Sequence, residues 1–92
     1  MVKPVRYLLE IYVPGNVDSL LANFEAESPF MAISKGDFLN PRSWYGADKY
    51  KLLRAVNVEH ILLEGETRTT HKVCVFTESL EDSPSMLLGQ HE

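Results

Sequence analysis

One cysteine, Cys74, is all the chain contains, so no intrachain disulfide can staple it. It sits in a strand-forming stretch, where a lone thiol serves as a small core hydrophobe. Long apolar runs are absent too. The start, Met1-Val2-Lys3-Pro4, lacks the hydrophobic segment of a secretory leader, and nothing downstream reaches the roughly 20 residues of a membrane span. These absences set the expectation of a reduced, cytoplasmic location with no membrane association. Basic residues are outnumbered, nine against thirteen acids for a net charge of -4, which disfavours strong non-specific binding to nucleic acid. Ninety-two residues allow one domain with one small core and little room for a deep substrate pocket.

What is present is strand patterning. Val56, Val58 and Leu62 alternate with Asn57 and Glu59 within a run from Tyr50 to Leu63, and Val73 and Val75 alternate with Lys72 and Cys74 within a run from His71 to Phe76. That is the period of a half-buried antiparallel sheet. The intervening Glu64-Gly65-Glu66-Thr67-Arg68-Thr69-Thr70 is polar and holds a glycine for the reversal, so the two runs predict a hairpin. Leu53 and Ala55 fall on one parity while Val56 and Val58 fall on the other, which predicts a bent or bulged strand, with Val56 and Val58 buried near its centre and facing Val73 or Val75 across the hairpin. Upstream, Val5, Tyr7, Leu9, Ile11 and Val13 form one face of a first strand whose other face is mixed, with Leu8 and Tyr12 beside Arg6 and Glu10. A curled sheet, a covering element or a partner is needed to hide that second apolar set. Pro14-Gly15-Asn16 ends the strand.

Residues 17–26 fit two templates. Val17, Leu20, Leu21 and Phe24 stand at helical spacing behind a potential Asn16 cap, whereas Leu20, Ala22, Phe24 and Ala26 alternate as a strand. The helix matches its template better and is the favoured reading, although Glu25 and Glu27 sit at its unfavourable end. From Glu27 to Tyr50 the chain is punctuated by Pro29, Lys35-Gly36-Asp37 and Asn40-Pro41, a pattern of short strands and anchored loops. The expected fold class is therefore mainly β, or α+β if 17–26 is helical, as a small, strongly bent antiparallel β-barrel over residues 1–80. Residues 81–92 are expected to be a tail or a short helical turn through Met86, Leu87 and Leu88.

Across about half the chain, the succession Pro29-Phe30, Ile33, Gly36-Asp37, Trp44, Val56-x-Val58-x-His60 and Val73-x-Val75 resembles a group of small, mostly uncharacterised β-barrel proteins, some from mobile gene cassettes. The resemblance implies an antiparallel barrel of SH3-like proportions. It implies no shared activity and no catalytic residue.

Chemistry is sparse. His60 shares a face with Val56, Val58 and Leu62 and is expected to be partly buried with one hydrogen-bond partner. His71 and Cys74 are three apart on a strand, so they point to opposite faces and cannot share a metal. Asp37 follows Gly36 in a turn and is expected to bond its own backbone. No cofactor, metal or catalytic constellation is expected, and an enzyme is the less favoured class. The one recognition surface interleaves Trp44, Tyr45 and Tyr50 with Arg42, Lys49 and Arg54, in a segment (residues 35–54) where five basic residues face two acids. Aromatic and arginine side chains anchor interfaces and stack on bases. The simpler reading makes Trp44 a plug for one end of the core. The leading function is an interaction module that binds a protein or itself. The alternatives are weak single-stranded nucleic-acid binding and a small-ligand protein or enzyme without a recognisable motif.

Overall fold

The computed structural model describes residues 3–47 and 49–80. They form five strands and no helix: β1 (Val5–Tyr12), β2 (Leu20–Ala26), β3 (Phe38–Leu39), β4 (Leu52–Glu64) and β5 (Thr69–Leu80). The strands make one sheet in the order β2-β1-β5-β4-β3, curled into a half-barrel. Neighbours are antiparallel except β1 and β5, which run parallel in the middle of the sheet. The expectation of a mainly-β curled sheet holds, and its strand pairing is mixed. The tail at 81–92 lies outside the described residues.

The favoured helix over 17–26 is corrected to a strand. Leu20–Ala26 pairs antiparallel with β1, setting Ala22 against Ile11, Phe24 against Leu9 and Ala26 against Tyr7. Each apolar residue of the alternating set thereby meets an apolar residue of β1, a gain that local helical spacing cannot match. Asn16 does cap, but only a turn: its Oδ1 accepts from the Asp18 N–H at 2.9 Å. Gly15 has φ of 75°, the left-handed conformation the reversal requires, and its N–H donates to the Thr77 carbonyl at 3.1 Å.

The hairpin is present, with the turn at Gly65–Arg68 closed by a 2.9 Å bond from the Gly65 N–H to the Arg68 carbonyl. β4 carries the expected bulge. Ala55 opposes Thr77 and Asn57 opposes Phe76, so Val56 is the extra residue. Before the bulge Leu53 and Ala55 face inward; after it Val58, His60 and Leu62 do. Val56 itself is 36% exposed and Val58 is half-buried, so the expectation that both lie at the centre of the core is corrected. The core is Leu9, Ile11, Leu53, Ala55 and Val75, with Leu21, Phe30, Ile33, Leu39, Trp44 and Tyr50 packed around it.

The outer face of the sheet has its own small cluster. Tyr12 stacks on Phe76 with ring centroids 4.9 Å apart, and its hydroxyl donates to Glu10 Oε1 at 2.9 Å. Lys72 Nζ lies 3.4 Å from the same oxygen. Cys74 is buried beneath this group, its Sγ 3.9 Å from both the Tyr12 hydroxyl and Glu10. Burial, aided by the Glu10 and Glu59 carboxylates and opposed by Tyr12 and Lys72, pushes the thiol up from its ordinary value. That makes it a poor nucleophile, in line with a packing role. Leu8 and Tyr12, the mixed face of β1, are both half-buried in this way.

Candidate functional site

The segment from Pro41 to Tyr50 is anchored by local bonds. Trp44 and Ala47 donate backbone N–H groups to the carbonyls three residues before them, at 3.0 and 3.1 Å, and Tyr50 does the same at 3.1 Å. Pro41 and Ala47 are buried. This holds Trp44 half-buried against the core, edge-on to Phe24 with centroids 5.7 Å apart. Trp44 thus bridges from the β3–β4 loop to the edge strand β2. Tyr45, by contrast, is 100% exposed, and with Trp44 and Phe24 it borders a shallow groove.

The other members of the expected surface disperse. Tyr50 packs on the core, and Lys49 Nζ stands 5.3 Å from its ring centroid, a cation–π distance. Arg54 alternates with inward-facing Leu53 and Ala55, so it lies on the opposite face of the sheet, where it is paired with Glu78 of β5. Arg42 is exposed, its N–H donating to Asn40 Oδ1 at 3.0 Å. Of the six residues, Trp44 and Tyr45 share one groove, Lys49 and Tyr50 form a second pair, and Arg54 faces away from both. Asp37 bonds its own turn as expected, its carboxylate accepting from the Ser34 N–H at 2.7 Å.

Two features escaped the reading of the sequence. The first is the edge of β4. Short β3 covers it only at Leu53 and Arg54, and among the described residues no strand pairs with that side of β4 from Val56 to Glu64. Leu62 and Leu63, on this edge, are 72% and 49% exposed.

The second is a histidine pair. The hairpin register places His60 opposite Val73 and Leu62 opposite His71, so the two imidazoles are diagonal neighbours on the inner face. Nδ1 of His60 lies 3.0 Å from Nε2 of His71, with the rings 5.2 Å apart and inclined by 29°. Tyr7 meets His71 edge-on at 5.9 Å. Behind the pair, Leu9, Val73 and the 29–33 segment enclose a cavity of about 160 Å³ with an apolar lining. His60 does have one hydrogen-bond partner, as expected, although it is exposed rather than partly buried. Its distance from His71 was predictable once the four-residue turn was counted, because that count alone fixes which residues stand diagonal. His71 and Cys74 do occupy opposite faces.

Among the described residues no three His, Cys, Asp or Glu side chains gather around one point, and no helix is long and apolar enough to cross a membrane. Comparison with protein families, with curated proteins and with solved structures finds no match.

Proposed function

We propose that the protein is a small interaction module that binds a second copy of itself by strand addition along the free edge of β4. The observation that supports this reading is that, among the described residues, unpaired edge backbone coincides with Leu62 and Leu63. Exposed apolar edges template pairing unless charge, proline or bulges blunt them. Beyond the Val56 bulge this edge has no proline and carries only Glu59 and Glu64 as charges. It is also self-complementary. An antiparallel two-fold pairing centred on Ile61 sets Ile61 against its own copy, His60 against Leu62 and Glu59 against Leu63, so no like charges meet directly. Such closure removes the edge from solvent in both copies. A cytoplasmic setting and SH3-like proportions belong to the same reading.

Sedimentation equilibrium at tens of micromolar tests the proposal. The expected species is a dimer that Leu62→Lys converts to monomer, with the far-ultraviolet dichroism unchanged. A wild-type chain that stays monomeric throughout that range overturns it.

A further inference from the structure

We infer that His60 and His71 form a copper site on the inner face of the sheet, with the Met31 thioether as a third donor. The geometry is the starting point. Metal–imidazole bonds are about 2.0–2.1 Å long, so two imidazole nitrogens on one ion lie roughly 2.9–3.4 Å apart for bond angles of about 90° to 110°. Nδ1 of His60 and Nε2 of His71 already stand 3.0 Å apart. Joint coordination replaces the hydrogen bond between them once both rings turn so that their lone pairs converge on one point.

The rings are also restrained in advance. Each stems from a paired strand position, and Tyr7 packs edge-on against His71. Restraint of this kind lowers the ordering cost of binding. Met31 borders the same cavity as both histidines and is 89% exposed, so its flexible side chain would fold back over the pair to bring the thioether to the ion.

The donor set selects the ion. Two imidazoles and a thioether contain no oxygen ligand, which excludes magnesium and calcium. No thiolate is available either, since Cys74 lies on the opposite sheet face. Imidazole suits several late transition metals, and among divalent ions copper binds most tightly. The soft thioether further favours copper(I), which accepts low coordination numbers without a charged ligand. No other His, Cys, Asp or Glu among the described residues joins the pair, so the remaining side of the ion is open to solvent or to an external ligand.

The experiment is an anaerobic copper(I) titration of the full chain against a chromophoric copper(I) chelator, in a Cys74→Ala background that removes the only thiol. One equivalent should bind. His60→Gln and His71→Gln should each weaken binding by at least about tenfold, the loss already typical when an outer-shell partner of a ligand is removed. Met31→Leu should weaken copper(I) while leaving zinc binding unchanged. Nitrogen-15 shifts of the two imidazole rings give a readout independent of affinity, and both should move together on metal addition. Absence of binding in the background protein, or binding that survives both histidine substitutions with the ring shifts unmoved, overturns the site.

Discussion

The β4–β5 hairpin is one element with two unlike halves. At its base, Leu52, Leu53, Ala55 and Thr77 are all buried, and β4 has β5 on one side and β3 on the other. Towards its tip the sequence still carries Val58, Ile61, Leu62 and Leu63, yet Leu62 is 72% exposed. The presence of apolar side chains does not by itself separate the halves. What separates them is the number of covering neighbours: the loop carrying Trp44 and Tyr50 packs over the base, whereas β3 stops after two residues. Burial here is decided by what the rest of the chain lays across a strand, so the half left bare is where a ligand or a second chain has something to gain.

The sharpest way to break this contrast is to cut a leucine from each half. Leu53→Ala removes a side chain with no exposure from the core cluster and should cost about 2–5 kcal/mol. Leu62→Ala at the tip should stay within about 0.5 kcal/mol for the monomer. Urea unfolding of both variants at low protein concentration reads the difference. Equal losses would mean that the tip is covered in solution.

A smaller effect sharpens the boundary between the halves. Val58 is the first inward residue after the bulge and is half-buried, so Val58→Ala should cost about 1 kcal/mol, less than the full loss for two buried methyl groups. Glu59→Ala, on the outer face, should change stability by no more than roughly 0.5 kcal/mol. A larger loss at Glu59 would invert the strand faces and move His60 away from the cavity.

The outer cluster predicts a pH dependence. Burial, then the bonds to Glu10 and Cys74, push the Tyr12 phenol far above its ordinary value of 10.0. Above that value the unfolded chain releases the phenolic proton while the folded chain keeps it, so stability falls as pH rises. The contribution is intact below pH 10. Lysines titrate in the same range, so the informative quantity is the wild type compared with Tyr12→Phe. Urea midpoints measured at about pH 9 and pH 11 should fall more steeply for the wild type. Parallel slopes would show that Tyr12 titrates alike in both states.

Much of the fold was legible because hairpin and bulge are local. Alternation exposed the strands, and the parity change between Ala55 and Val56 exposed the bend. The parity argument failed in placing Val56 and Val58 at the core, because a bulged residue belongs to neither regular face and Val58 beyond it is only half-buried. The strand Leu20–Ala26 reads as a helix in isolation because its partner, β1, lies across a turn. Helical spacing was visible in the sequence, while the match of Ala22, Phe24 and Ala26 to Ile11, Leu9 and Tyr7 was not. The surface was least legible. Contiguity grouped Arg54 with Trp44, and the sheet then placed them on opposite faces. The histidine pair required the hairpin register, and the free edge required knowing how short β3 is.

Arg54 supplies the mildest test of the comparison, since it sits at the base yet faces outward. Its guanidinium pairs with Glu78 directly across the ladder, and both side chains are more than a third exposed. Solvent screens such a pair, so Arg54→Ala should cost only about 0.2–1 kcal/mol and less at high salt. The double variant Arg54→Ala with Glu78→Ala isolates the pair from packing lost with the arginine stem. If the base is held by apolar burial, the coupling energy should be small and should vanish in about 1 M salt. A coupling that persists there would mean that the pair is desolvated, and that the base owes its rigidity to charge as well as to Leu53 and Ala55.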